Sequence, residues 1–308
     1  MDTEPIIDGT LLCVLGDTHC GSTVGLMRPR KQYEVSEGVN ISANSDQRAL
    51  WKRFEQFAAI IKKNRAGLRL MVVWNGDQID GDHHNSHQLV TRNQGTQRLL
   101  FADCCEWFMD AVGWDYDAGD RVFFITGTEP THGTATEEIA RDFVNATPFR
   151  KGKARGALGA TVDGQYAWQK LNLNIHGRLF NIAHHPSANV GRRLWTEDNA
   201  PRSAFKSFIL KRQQRGVRVP DFYIRSHKHS AARAFVEFRG KGGGPGYSGW
   251  TYLLPAWQMR SLYVHKIGID DPTDIGGFWC EVRADGAIRG HENEYSTLPD
   301  ETERIVRL

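Results

Sequence analysis

Leu11-Leu12-Cys13-Val14-Leu15-Gly16-Asp17-Thr18-His19-Cys20-Gly21 is the stretch on which the fold turns. Its first five residues form an apolar run of the length expected for a buried strand. Asp17 and His19 follow two apart, and an extended strand end would send both side chains to one face. A carboxylate and an imidazole aimed together from a strand mouth, with Gly16 and Gly21 beside them, suit a divalent metal. Asp-x-His also arises by chance, so its weight comes from echoes downstream.

Residues 46–63 carry Leu50, Phe54, Phe57, Ile60 and Ile61 at three- and four-residue intervals, with Ser45-Asp46 as a start signal, which predicts an amphipathic helix. Before it lie some thirty residues without periodicity, including the basic cluster Arg28 to Lys31, and loops that long are usually functional or mobile. A second apolar run, 68–74, ends in Asn75-Gly76-Asp77. Ligands of α/β sheets gather at the carboxyl ends of the strands, so Asp77 is expected on the rim with Asp17 and His19. His83 and His84 come next and read either as loop polars or as substrate-touching groups.

A helix is expected over 97–112 with Leu99, Leu100, Phe108 and Met109 inward, then a strand over 121–126 ending in Gly127-Thr128-Glu129-Pro130-Thr131-His132. Thr134 and Glu137 read as a capping box for a short helix to about Val144. His132 precedes that helix, placed either to protonate a leaving oxygen or to cap its own turn. Further on, 171–175 and 179–183 form a hairpin pattern running into His184-His185-Pro186. A helix over 204–215 and a strand over 221–224 lead into His227-Lys228-His229. The glycine-rich 240–249 lacks the GK[ST] of a phosphate-cradling loop and reads as a flexible loop. Strands are expected over 250–254, 259–264 and 277–282. The chain reads as one domain with its core at about 11–285 and an acidic tail over 286–308.

Net charge is +3, but it is unevenly spread: −7 over 1–149, +13 over 150–240 and −3 over 241–308. A strongly basic middle segment suits a phosphate-bearing partner or is simply a solvated face. No apolar run is long enough to span a membrane. Five cysteines without a CxxC fit reduced thiols, and the N-terminus lacks a secretory pattern, so a cytoplasmic protein is expected.

The order Asp-x-His, Gly-Asp, the Gly127 loop, His and then His-x-His resembles the calcineurin-like metallophosphoesterase superfamily across roughly residues 11 to 230. The resemblance implies an α/β fold, a four-layer αββα sandwich of two sheets flanked by helices. It also implies two divalent metal ions, Mn²⁺ first and Mg²⁺, Zn²⁺ or Fe as alternatives. Asp17, His19 and His229 would hold one ion, Asp77 would bridge, and His184 and His227 would hold the second. His185 would lie behind these or face substrate.

The third element departs from the family pattern. An Asn ligand and an adjacent His should follow Gly127, but Thr128 and Glu129 stand there and His132 comes three residues late. Either Thr128, Glu129 or water fills in and His132 still acts as the acid, or one strong metal site remains with reduced activity. Gly81-Asp82 also replaces the Arg-Gly pair of the phosphoprotein phosphatases, which favours nuclease and phosphodiesterase branches. The expected function is metal-dependent hydrolysis of phosphodiesters, DNA foremost. Tyr166, Trp168 and Trp195 could stack on bases, although each reads more readily as core. Small-molecule phosphomonoesters or cyclic nucleotides are the alternative substrates, and a catalytically weak scaffold is the alternative class.

Overall fold

Strand β1 (Gly9–Leu15) is buried along its whole length, which explains its unbroken apolar run. Leu11, Cys13 and Leu15 pack under helices α1 (Ser45–Arg65) and α2 (Gln94–Val112), whereas Leu12 and Val14 face a second sheet. The computed structural model describes residues 9–29, 31–35, 39–82, 88–128, 135–145, 166–186, 199–238, 246–261 and 273–298. His83, His84, Glu129, His132 and Trp195 lie outside the described residues, as does most of the glycine-rich 240–249.

β1 sits between β4 (Arg69–Asn75), parallel to it, and β12 (Thr273–Arg283), antiparallel. β5 (Arg121–Ile125) and β6 (Ala167–Trp168) extend the parallel side, and β13 (Ile288–Leu298) forms the opposite edge. The second sheet runs β10 (Ala232–Phe238), β11 (Tyr247–Leu253), β9 (Phe222–Arg225), β8 (Arg178–Ala183), β7 (Leu171–Ile175), with β8, β9 and β11 parallel. Phe180, Ile182, Phe222 and Ile224 meet Leu12, Val14, Val73 and Phe278 between the sheets. α3 (Thr136–Asn145) joins α1 and α2 on the first sheet, and α4 (Asn199–Gln214) covers the second through Phe205, Ile209 and Tyr223. The result is the four-layer αββα sandwich. A small hairpin, β2 (Tyr33–Val35) and β3 (Val39–Ile41), stands in the long segment before α1.

Several elements differ from expectation for identifiable reasons. Residues 288–298, read as part of an acidic tail, pair as β13; its ladder with β12 is made by backbone, and charged side chains suit an exposed edge. Leu99 is 66% exposed, because the buried face of α2 is centred on Leu100, Phe101, Cys104, Cys105 and Phe108 and Leu99 lies off it. β10 was not anticipated, and residues 259–261 are not strand. Helix α1 starts one residue earlier than its signal: Asn44 accepts from the Gln47 amide while the Gln47 side chain accepts from the Asn44 amide. Glu137 accepts from the backbone N–H groups of Tyr166 and Ala167, tying α3 to β6, and Thr134, the other half of the expected capping box, lies outside the described residues. All five cysteines are buried and unbridged.

The long segment after β1 is anchored rather than loose. Asp103 of α2, 5% exposed, accepts from Arg28, Lys31 and the Tyr33 hydroxyl. Burial works to raise the Asp103 carboxyl, but Lys31, Tyr33 and Arg28 outweigh it and hold it below the ordinary carboxylate range. A carboxyl depressed in the folded state stabilises above its unfolded value of about 4, and that stabilisation is lost as pH falls through the folded value. Arg28 and Lys31 are well exposed, so screening limits each ion pair to about 1 kcal/mol or less. Asp103→Asn should cost about 1–3 kcal/mol at pH 7 and flatten the decline of the melting temperature below pH 4, as followed by circular dichroism.

Candidate metal centre

Five parallel strands carry their C-terminal ends to one rim, and each tip delivers a polar residue. β1 leads to Asp17 and His19, β4 to Asp77, β5 to Thr128, β8 to His184, and β9 to His227 and His229. The tips touch because the backbone is stripped of side chains where they cross. A Cβ on Gly76 would lie 2.3 Å from His184 Nδ1, and one on Gly127 would lie 2.0 Å from Asp77 Oδ1. Gly76 also has φ +82°, a conformation glycine adopts at no steric cost.

Asp17 and His19 are not a period-two pair on an extended strand. Both have left-handed backbone, with φ 54° and 42°, and so do Asp77, His227 and His229. Asp and His are among the residue types that enter this region most readily, but such residues still store strain, which gathers at functional sites. The curled segment is held by Asp17 N–H to Gly76 O (3.1 Å), His19 N–H to Asp77 O (3.0 Å) and the Thr18 hydroxyl to Gln78 O (2.8 Å).

Two groups of donors result. Asp17, His19 and His229 have ligand atoms within 4.8 Å of one another, as do His184, His185 and His227. Asp77 lies between them, its Oδ2 3.0 Å from His184 Nε2 and 3.9 Å from both His19 Nε2 and His227 Nδ1. Asp77 Oδ1 accepts the Thr128 N–H at 2.6 Å. Asp17 Oδ2 accepts the His227 N–H at 3.2 Å, whereas Oδ1 is buried and accepts no hydrogen bond, facing His229 Nε2 at 3.3 Å. The structure thus gathers the six metal candidates and brings Thr128 and His185 beside them.

Residues behind the donors fix their orientation. His184 Nδ1 lies 2.9 Å from Asn75 O and donates there, which turns Nε2 toward Asp77. His19 Nδ1 lies 2.9 Å from Asp80 Oδ1, which also accepts from Gln258 Nε2. Asn75 reaches Ala183 O and Ser226 Oγ across the two sheets. Asp80, Asn75, Ser226 and Gln258 were not candidates from sequence. Asp80 was visible three residues after Asp77, but its target was not, and Gln258 carries no sequence signal.

Burial works to raise the carboxyls of Asp17 and Asp77, yet the imidazoles, His184 foremost, hold both below the ordinary range, Asp77 well below. Burial lowers His184, but Asp77 and Asp17 more than reverse it and bring it to about 9. Burial and the neighbouring His184 and His227 push His185 down to about 4. Two buried carboxylates, one with an oxygen that accepts no hydrogen bond, among imidazoles whose ring nitrogens face inward, make a donor set that fits a pair of divalent cations.

The two-sheet sandwich and the order of strand-tip residues are those that the resemblance to the calcineurin-like metallophosphoesterases implies. No family profile and no curated protein matches the chain. Solved structures similar to it include a predicted phosphoesterase from Streptococcus pneumoniae (9% identity, 93% of this chain and 97% of that one, TM-score 0.30). They also include Thermus thermophilus sulfate thiohydrolase SoxB (11%, 97% and 58%, TM-score 0.35) and a Thermotoga maritima protein (10%, 94% and 99%, TM-score 0.32). Superpositions at that level carry no weight for activity.

Carboxylate–histidine pairs of the kind Asp80 and His19 form orient metal ligands and raise their basicity. Asp80→Asn should weaken the ion held by Asp17, His19 and His229 by about 10–100-fold and leave the second nearly unchanged. Equilibrium dialysis with Mn²⁺ reads both constants.

Proposed function

We propose that the chain is a dinuclear metal-dependent phosphoesterase that hydrolyses phosphodiesters, with nucleic acid as the first substrate to test and Mn²⁺ as the first cofactor. The observation that carries the reading is Asp77, buried between two donor groups with Asp17 Oδ1 left without a hydrogen bond. Asp17, His19 and His229 would hold one ion, His184 and His227 the other, with Asp77 shared. A bound pair of ions would supply Lewis-acid polarisation of the phosphoryl oxygens and an activated water near neutral pH.

The chain's own groups supply orientation. Asn75 O and Asp80 hold Nδ1 of His184 and His19 and so turn Nε2 of each ring toward the centre. Lys228, exposed between His227 and His229, stands ready to attract an anionic substrate. His132, from its place in the sequence after the Gly127 loop, is assigned the protonation of the leaving oxygen. His83 and His84 are assigned to substrate contact.

The basic middle segment favours a polyanion, but a specific observation supports a smaller phosphodiester as the second reading. Arg178 and Arg218 engage Asp221 and the β7–β8 turn, at the end of the second sheet away from His184, and Arg225 is buried. Tyr166 and Trp168, the described aromatics expected to stack on bases, pack against the hydrophobic cores.

Hydrolysis of plasmid, linear and single-stranded DNA and of bis(nitrophenyl) phosphate with Mn²⁺ separates these substrates. His229→Ala should lower turnover of whichever is cleaved by at least about a hundredfold, and unchanged cleavage would rule out this centre. A nucleic-acid substrate should lose affinity steeply between 50 and 200 mM salt, as roughly log-linear counterion release requires; a small phosphodiester should not.

A further inference from the structure

Thr128 stands where the resemblance calls for an amide ligand, and its hydroxyl has the surroundings of a ligand. Oγ1 lies 3.1 Å from Asp77 Oδ2, 3.2 Å from His227 Nδ1 and 3.4 Å from His184 Nε2. Asp77 Oδ2 lies 3.0 Å from His184 Nε2 and 3.9 Å from His227 Nδ1. Four donors placed tetrahedrally about 2.0–2.1 Å from one cation are separated from each other by about 3.3–3.4 Å. The five separations fall on both sides of that value.

His184 gives its Nδ1 proton to Asn75 O, which turns Nε2 toward Asp77 and Thr128. The Asp77 carboxylate is an acceptor only, and a bound cation would take a lone pair from it, from the hydroxyl and from each facing ring nitrogen. The hydroxyl is also placed by main chain rather than by chance: Gly127 lets the loop press onto Asp77, and the Thr128 N–H clamps Oδ1 at 2.6 Å.

We infer that the Thr128 hydroxyl is a protein ligand of the second cation, completing with Asp77, His184 and His227 a four-donor set for a divalent first-row transition ion. This rests on the dinuclear reading above. A neutral hydroxyl is a weak donor, so the second ion is held less tightly than the one on Asp17, His19 and His229.

Cobalt titration, followed by visible d–d absorption and equilibrium dialysis, tests the assignment without any activity measurement. The wild type and Thr128→Ser should bind two Co²⁺ per chain. Thr128→Val, close in shape but lacking the hydroxyl, should keep the first ion and bind the second at least about tenfold more weakly. Thr128→Asn, which restores an amide, should bind the second ion at least as tightly as the wild type. Melting curves in EDTA check that the variants fold, and retention of the first ion is a second check. Thr128→Val binding both ions as tightly as the wild type would overturn the assignment and leave the dinuclear reading standing. A wild type that binds a single Co²⁺ would overturn both.

Discussion

Two carboxylates buried within reach of each other are the constraint around which the rest of this molecule is arranged. Asp17 is 0% exposed and Asp77 2%, and with His184 their ligand atoms lie within 4.8 Å. Like charges at that spacing cannot both stay ionised in a protein interior unless positive charge or a cation compensates them; the desolvation penalty alone is several kcal/mol per ion. Every neighbouring feature addresses that problem. Imidazoles from three strand tips converge on the pair, backbone N–H groups of His227 and Thr128 clamp one oxygen of each, and glycines let the tips approach. The strained backbone of five donor residues is the local cost of the arrangement.

The sandwich keeps this arrangement in register. Inward residues of β1, β4, β8 and β9 interlock between the sheets, so a shift of one sheet against the other would separate Asp17 and Asp77 from His184 and His227. Asn75 adds a polar tie at the same level, donating to Ala183 O and Ser226 Oγ of the opposing sheet. Packing and chemistry therefore meet at the strand ends: the apolar body of each strand sets the position of the ligand that follows it.

The fold and the gathering of the six metal candidates were legible in sequence because parallel strands deliver their ends to one rim. An apolar run followed by Asp or His marks such an end, and five runs in order reveal the convergence. What was not legible depended on contacts between distant segments. The left-handed backbone at Asp17 and His19 is imposed by the neighbouring tip of β4, not by the local pattern, so an extended strand end was the wrong picture. The cluster Arg28 to Lys31 read as part of a functional or mobile loop because Asp103, which binds Arg28 and Lys31, lies some seventy residues away in a helix. β13 was hidden by its charged side chains, since an edge strand is held by backbone pairing that composition does not register. The total charge of 150–240 likewise does not say which of its arginines face the rim.

The central claim is that the six side chains from four strand tips share one pair of cations. Crystals grown with Mn²⁺ and measured at its absorption edge test it most directly. The account predicts two anomalous peaks about 3.5–4 Å apart, one on each side of Asp77, with Asp17, His19 and His229 around the first and His184 and His227 around the second. No peak at Asp77, or a single ion away from it, would contradict the account.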